Sequence, residues 1–407
     1  MAHEHRPLEG FRILDLTQTL AGPYGSMLLA DMGAEVIKVE HPERPDLGRN
    51  MGSCRVDDMS AYFVSLNRNK RSVSLDLKKD YHLEAFLRMV EVSDVVFENF
   101  RPGVAARLGL TEEVLTARNP NIVMCSLSGF GQEGPESQRP AYDYVIQALV
   151  GTMDLTGDPD GPPTKYGVSI VDHVGGVFAA LSIVAALLGR QRNGVRDCID
   201  VSLFDTHLSM LSYLASAYLN CGEEPQRQPY SSHPHKVPSQ LLATQDGYLV
   251  VMVFDDHFWV PFCDAVGLPE LVDDFRFATA ERRRARRDEL TNVLQAQLAL
   301  RPTDVWIASL QERGVPAAQV QSIPEALRME HVRVRDMIIE LDHPEYGRHR
   351  VIGNPVKFSS MPKGPRVAAP QLGADTAQVL TEICGMTPAE VDALTGDRSA
   401  EGGSNSE

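Results

Sequence analysis

The chain has 407 residues, 43% of them hydrophobic and 23% charged, enough to bury a large core and to form two domains, one of them discontinuous. With 39 Lys and Arg against 55 Asp and Glu, its net charge of −16 argues against nucleic acid or an anionic membrane as the main partner. The six cysteines form no CxxC pair, which argues against a zinc centre or a disulfide framework and fits a reducing cytoplasm, and the opening MAHEHRPLEG lacks the apolar core of a signal peptide.

The first elements alternate as in an α/β domain. Residues 12–16 (RILDL) read as a buried strand, a turn at Ala21-Gly22-Pro23 leads into a helix ending near Gly33, and residues 35–39 read as the next strand, which makes a βαβ unit. Further strands are expected at 72–75, 95–97, 122–126 and 198–201, with helices between most of them. This pattern predicts a mainly parallel sheet, whose ligands bind beyond the carboxyl ends of the strands. Three glycine-bearing segments lie there, at 17–23 (TQTLAGP), 99–103 (NFRPG) and 128–131 (SGFG).

Residues 166–188 (YGVSIVDHVGGVFAALSIVAALL) read as a helix that is apolar on every face and therefore buried on all sides. The apolar run 174–188 is shorter than the roughly 20 residues that a membrane span needs. Asp172 stands just before it, where free backbone N–H groups favour an anion, and on this segment alone it reads as an N-cap. Gly175 and Gly176 leave room one turn away for a ligand or a second backbone.

A helix is expected at 204–219, followed by a proline-rich linker or active-site loop at 222–239. A smaller unit follows, with a hairpin across 245–247 and helices at 256–266, 282–298 and 303–313. From about 330 strands and short helices return, residues 350–358 being the clearest strand, and the polar tail reads as disordered. The expected domains are 1–221 (large, α/β), 222–330 (linker and small, α+β), 331–396 (a return to the large domain) and a disordered tail at 397–407.

Several motifs have a plain structural reading beside a functional one. The turn at 20–25 (LAGPYG) is not GxGxxG and gives little support for a dinucleotide, although its helix N-terminus offers N–H groups to a phosphate. The cations Arg68, Lys70 and Arg71 form either a solvated loop or a focused anion site. Arg282, Arg283, Arg284, Arg286 and Arg287 alternate with acids and read as a solvated helix face. Tyr142 and Asp143 read as a buried structural pair. His233, His235 and Lys236 are either a solvated loop or a substrate contact. No HxH or HExxH supports a metal site, and no GxSxG elbow supports a hydrolase.

Taken together, the segments at 13–40, 66–78, 94–110, 126–135, 142–151 and 161–177, in that order, resemble the class III CoA-transferase family, to which formyl-CoA transferase and carnitine CoA-transferase belong and whose fold alpha-methylacyl-CoA racemase shares. The resemblance covers nearly the whole chain. It implies a Rossmann-like large domain with a parallel sheet, a smaller α+β domain and an interlocked homodimer. It also implies a cytoplasmic enzyme that moves CoA from an acyl-CoA to a free carboxylic acid, with no tightly bound cofactor, no metal, and coenzyme A and acyl-CoA as substrates.

In the mechanism so implied, Asp172, ionised at pH 7 without help, is the nucleophile and passes through an aspartyl anhydride and an aspartyl-CoA thioester. Lys70, Arg71, Asn99, Phe100 and Arg107 would hold the adenosine and phosphates of CoA, while Leu20, His41, Tyr142 and Asp143 would line the pocket. For a dicarboxylate acceptor, His41, Arg44, Arg49, His233 or Lys236 would supply a cation. Succinyl-CoA is the expected donor, as a common one in the family. Leu20 stands where formyl-CoA transferase has glutamine, and the glycine-rich lid of that enzyme has no counterpart, which counts against formyl and oxalate specificity. Tyr142 stands where the racemase branch has a histidine base, and a phenol with a pKa near 10 is a poor base at pH 7. An acyl-CoA racemase or epimerase and a non-catalytic acyl-CoA-binding protein are the alternatives.

Overall fold

A computed structural model describes residues 5–56, 58–361 and 367–396 of the chain. The strands of its first part are β1 (Arg12–Asp15), β2 (Glu35–Glu40), β3 (Arg55–Val56), β4 (Met59–Ser60), β5 (Lys70–Ser74), β6 (Val95–Glu98), β7 (Val123–Ser128) and β8 (Cys198–Ser202). β3 and β4 pair only with each other, and the other six form one parallel sheet in the order β5-β2-β1-β6-β7-β8. Counting those six along the chain, the order is 3-2-1-4-5-6, that of a Rossmann-type sheet, and its topological switch lies between β1 and β6.

Both faces of the sheet are covered, and its central strands β1, β6 and β7 send apolar side chains to both. Ile13, Val36, Val95, Phe97 and Cys125 point to one face and pack with the helices Ala21–Asp31 and Ile170–Asn193. Leu14, Ile37, Val96 and Val73 point to the other and pack with Phe86 of helix Asp80–Glu91, Leu115 of Glu112–Arg118 and Val379 of Thr376–Cys384. Each such aliphatic side chain contributes roughly 1.5–3 kcal/mol by leaving water. The edge of β5 is covered by the C-terminal segment: Ser72 N–H donates to the Asp375 carboxylate at 2.7 Å, and Ser74 N–H to Thr376 Oγ1 at 3.0 Å.

By their internal contacts, Met1–Val150, Gly167–Tyr213 and Glu330–Glu407 group as one unit, and Gly151–Tyr166 with Leu214–Met329 as a second. The excursion 151–166, which the sequence left inside the first domain, thus groups with the second unit. That unit is an antiparallel sheet of β9 (Ser239–Ala243), β10 (Tyr248–Met252) and β11 (Ala317–Gln319) in the order β11-β10-β9. Helices Trp259–Val266, Arg287–Leu298 and Thr303–Glu312 surround a core of Leu242, Val251, Phe262, Leu294 and Trp306.

Near the C-terminus, β12 (Ile338–His343) and β13 (Gly347–Ile352) form a hairpin. The strand expected at 350–358 therefore ends at Ile352, where Gly353 and Pro355 follow. The expected helix at 204–219 is two, Leu203–Ser209 and Ser212–Cys221, broken at Ser212 by a positive φ of 41°. The tail expected to be disordered, 397–407, lies outside the described residues.

The long helix departs from its expected all-round burial. Its small-residue face, Gly175, Gly176, Ala179, Ala180 and Ile183, is the buried one, whereas Val177, Phe178, Leu181 and Leu188 are exposed, Leu181 by 61%. A helix apolar on both sides gives periodicity no means of ranking its faces. At 24 residues it is long and apolar enough to cross a membrane by length and composition, but it packs along helix Ala21–Asp31 as a core helix.

Candidate active site

The switch point opens into a cavity of about 290 Å³, lined by Gln18, Thr19, Leu20 and Ala21 after β1, by Asn99, Phe100, Arg101 and Pro102 after β6, by Ser128 at the end of β7 and Gly129 beyond it, and by Arg139, Tyr142 and Asp172. All three glycine-bearing segments picked out in the sequence thus contribute to one crevice.

Asp172 is half-buried and lies within the first turn of helix Ile170–Asn193. It is not the N-cap: that position is Ser169, and neither side chain caps the helix. The cap comes from elsewhere. Asp143 is buried at the start of helix Asp143–Val150, and its Oδ2 accepts the N–H groups of Val171 at 2.8 Å and Asp172 at 3.3 Å, while its Oδ1 accepts Gln147 Nε2 at 2.6 Å. With Asp143 satisfying those N–H groups, the Asp172 side chain is released from helix capping. Burial first, and the Asp143 charge second, push Asp172 up to about 7, so ordinary ionisation at pH 7, as the sequence suggested, does not hold here.

The glycines explain how Asp172 comes to face the loop after β1. A Cβ on Gly176 would sit 2.3 Å from Ala21 O, and one on Gly25 would sit 2.6 Å from Gly176 O, so the two helices cross backbone against backbone. The room one turn from Asp172 is filled by a second backbone at Gly176 and by the Leu203 side chain, 2.3 Å from a Cβ on Gly175. The tight approach carries the N-terminus of helix Ala21–Asp31 to the cavity wall.

The residues singled out from the sequence divide into two groups. Leu20, Asn99, Phe100, Tyr142 and Asp172 line the cavity, and Asp143 stands behind Asp172 as its helix cap. Tyr142 is 68% exposed, so it forms no buried pair with Asp143. Asn99 also fixes the loop opposite, donating to Gln18 O at 2.9 Å and accepting Gln18 N–H at 2.8 Å.

His41, Lys70, Arg71 and Arg107 do not line the cavity. The Lys70 side chain is fully buried, and its ammonium donates to Asp15 (3.0 Å), Asn67 Oδ1 (2.8 Å) and Pro23 O (3.1 Å), which leaves nothing for a phosphate. Arg71 bonds to Glu35 and Glu382, both at 3.0 Å, and Arg68 forks onto Asp31 at 3.0 and 2.7 Å. The supposed anion-binding loop is therefore a row of ion pairs within the chain, buried at Arg68 and Lys70 and partly exposed at Arg71. His41 pairs with Arg44 and Asp76, Arg107 is exposed, and Arg49 bonds to Glu40 while stacking over Phe63. His233, His235 and Lys236 belong to the second unit.

Two cations that the sequence reading passed over, Arg101 and Arg139, line the cavity instead. Arg139 bonds to Glu136 at 2.9 Å, whereas Arg101 has no carboxylate partner among the described residues. The signal was present in NFRPG, where an arginine follows the end of a buried strand. Tyr62 was also missed; burial first, then the charge on Asp172, push its phenol far above its ordinary value.

Beneath the loop after β1 lies a cluster of fully buried charges. Lys38 pairs with Asp46 at 2.8 Å and Lys70 with Asp15 at 3.0 Å. Burial opposes the charge on Lys38, but Asp46, Asp15 and Glu40 together raise it; Lys70, with Lys38 repelling it, is pulled by burial down to about 8.

Comparison with known proteins bears on this arrangement. The profile of CoA-transferase family III matches residues 8–376. The chain is 36% identical over 378 residues to succinyl-CoA:glutarate CoA-transferase of Mus musculus, covering 93% of this chain and 86% of that protein. It is 39% identical over 379 residues to acetyl-CoA:oxalate CoA-transferase of Acetobacter aceti, covering 93% and 96%. Among solved structures, a CAIB/BAIF family protein from Brucella suis superposes with a TM-score of 0.84 at 35% identity, covering 93% of this chain and 99% of that one.

Proposed function

Because the chain belongs to CoA-transferase family III and is an acyl-CoA:carboxylate CoA-transferase, we propose that Asp172 is the carboxylate through which the transfer passes. One observation carries the reading: a half-buried carboxylate, freed from helix capping by Asp143 and raised to about 7, stands in the wall of the switch-point cavity. A carboxylate that has lost water and gained basicity is a better nucleophile than one in solvent.

In the first step an Asp172 oxygen attacks the thioester carbonyl, the C–S bond breaks, and the CoA thiolate leaves a mixed anhydride. The thiolate then attacks the Asp172 carbonyl carbon, releasing the donor acid and forming the aspartyl-CoA thioester. The acceptor carboxylate attacks that thioester to give a second anhydride. Return of the thiolate to the acceptor's acyl carbon yields the new acyl-CoA and frees Asp172. Backbone N–H groups at the start of helix Ala21–Asp31 are suitably polarised to meet the developing oxyanions.

Arg101 is the cation for a phosphate of CoA or for the second carboxylate of an acceptor. Glutarate and oxalate, in the names of the relatives, make dicarboxylates the acceptors to test first, and oxalate stays in the set although Leu20 counts against it. The exposed stripe Val177, Phe178, Leu181 and Leu188 supports a homodimer in which a second copy covers it, interlocked as the family resemblance implies. Six unpaired cysteines, three of them exposed, fit a cytoplasmic enzyme, and no tightly bound cofactor enters the scheme.

The test incubates wild type and Asp172→Ala with succinyl-CoA or acetyl-CoA and a panel of dicarboxylic acids. New CoA esters are followed by mass spectrometry and the enzyme is trapped with hydroxylamine or borohydride. Transfer is expected to fall by about 10³-fold or more in the variant, with the wild-type adduct mapped to Asp172. Equal activity in both proteins would reduce Asp172 to a first-turn acid of its helix.

A further inference from the structure

The chain must leave β1, pass over a buried lysine and enter helix Ala21–Asp31 within five residues, 16–20. The turn is tight: a Cβ on Gly22 would lie 2.3 Å from Thr17 Cβ. To make it, Thr19 takes a left-handed backbone with φ of 71°, a conformation that β-branched side chains rarely adopt. Such strain persists only where the surroundings over-determine it.

The surroundings do so with buried charges. Asp46 Oδ1 accepts the N–H of Thr19 at 2.7 Å and that of Gly48 at 2.8 Å, while its Oδ2 pairs with Lys38 at 2.8 Å. Lys38 Nζ in turn donates to Thr17 O at 2.6 Å. Asn99 takes both backbone groups of Gln18 from the opposite side. Neither Asp46 nor Lys38 lines the cavity, whereas Thr19, whose N–H Asp46 holds, does so together with its neighbours Gln18, Leu20 and Ala21.

We propose that Asp46, charged and anchored by Lys38, is a positioning residue for the transfer reaction: it holds Thr19 left-handed and so sets where the first-turn N–H groups of helix Ala21–Asp31 stand opposite Asp172. The Thr19 hydroxyl has no chemical part in this role; its backbone conformation does. The inference rests on the proposed role of Asp172 for what the N–H groups face, but its test does not.

The test is a double-mutant cycle on steady-state CoA transfer, with Asp46→Ala, Thr19→Gly and the combination. Glycine reaches the left-handed region without help, so Thr19→Gly should remove the need for Asp46. Asp46→Ala is expected to lower kcat by about tenfold or more with the KM for acyl-CoA changed less than about threefold. In the presence of Thr19→Gly the same change should cost less than about threefold. The melting temperature should not follow this pattern, since Lys38 lacks its Asp46 partner in both Asp46 variants. A purely structural role would move Tm and leave kcat uncoupled.

Additive effects on kcat would overturn the proposal. So would a Thr19→Gly variant as damaged as Asp46→Ala, which would assign chemistry to the hydroxyl. If Asp46→Ala does not fold, the cycle is run with Asp46→Asn, which keeps an acceptor for Thr19 N–H but loses the charge facing Lys38; rescue by Thr19→Gly and its absence decide as before. Failure of the Asp172 reading shows separately, as turnover without a trapped aspartyl adduct, and leaves the coupling between positions 19 and 46 intact.

Discussion

Both units of the molecule bury cations, and they use them differently. In the first, Lys38 and Lys70 are enclosed with Asp46 and Asp15 under the loop that reaches the cavity. In the second, Arg283 is buried with its guanidinium over Trp259, donating to Val237 O at 3.0 Å, Phe277 O at 3.1 Å and the exposed Asp256. Arg287 likewise donates to Ser232 and to Pro234 O. The arginines expected on a solvated helix face thus include two that tie loops of the second unit together. Burial of charge alone does not mark a functional site; what matters is which backbone the charge holds.

The widest separation between the two kinds of cluster should come from Arg283→Ala. It strips three partners and a packed side chain from the second unit and should cost about 2–4 kcal/mol of stability in chemical denaturation. Transfer activity measured well below the transition should stay within about threefold of wild type. A large loss of kcat at intact fold would erase the contrast.

A second comparison sets Arg101 against Arg71, two cations the sequence did not rank in this order. Arg101→Gln should raise the KM for acyl-CoA or for the acceptor acid by roughly tenfold, about 1.4 kcal/mol. Arg71→Gln, which loses only partly exposed ion pairs with Glu35 and Glu382, should change either KM by less than about twofold. Steady-state kinetics on both variants settles which cation serves the ligand.

The smallest expected effect is the pH dependence of stability at Asp172. Its folded value, about 7, lies above the ordinary 3.8, so the folded state binds the proton more tightly than the unfolded chain. Stability linked to this group is present below about pH 4, declines as pH rises and is lost above about 7. Asp172→Asn removes that penalty, and at pH 8 should exceed wild type by ~1 kcal/mol after allowance for solvent at the cavity mouth, the difference closing below pH 4. In wild type, kcat/KM for the acyl-CoA should rise with an apparent pKa near 7. A rise near 4 would remove the argument for a desolvated nucleophile.

Much of the fold could be read along the chain because the central strands announce themselves as short apolar runs and the outer ones follow from the alternation of strands and helices. The six expected strands fall within about two residues of those found, the usual uncertainty of element ends. Asp172 was conspicuous as a charge among apolar residues, and it does line the cavity, but its segment alone suggested a helix cap and its chemical role was read from the family resemblance. What could not be read were pairings between positions remote in sequence. Lys70 and Asp15 are 55 residues apart, and Arg68 and Asp31 are 37 apart, so a run of cations looked free when each already had a partner. Asp143 was read as a pocket residue because nothing local reveals that it caps a helix starting 27 residues later.

The crossing of helices Ala21–Asp31 and Ile170–Asn193 at Gly25 and Gly176 also limits how this enzyme can be altered. With main chain resting on main chain, the gap between the turn that carries Asp172 and the turn that carries Ala21 behaves as a fixed gauge, with no side chain to trim for a narrower setting, and any side chain added there acts as a wedge. If transfer runs through Asp172 as proposed, acyl groups of different length should be told apart by side chains that line the same cavity, Phe100, Ser137 and Tyr142. A library aimed at new substrates belongs at those three positions and should leave both glycines untouched.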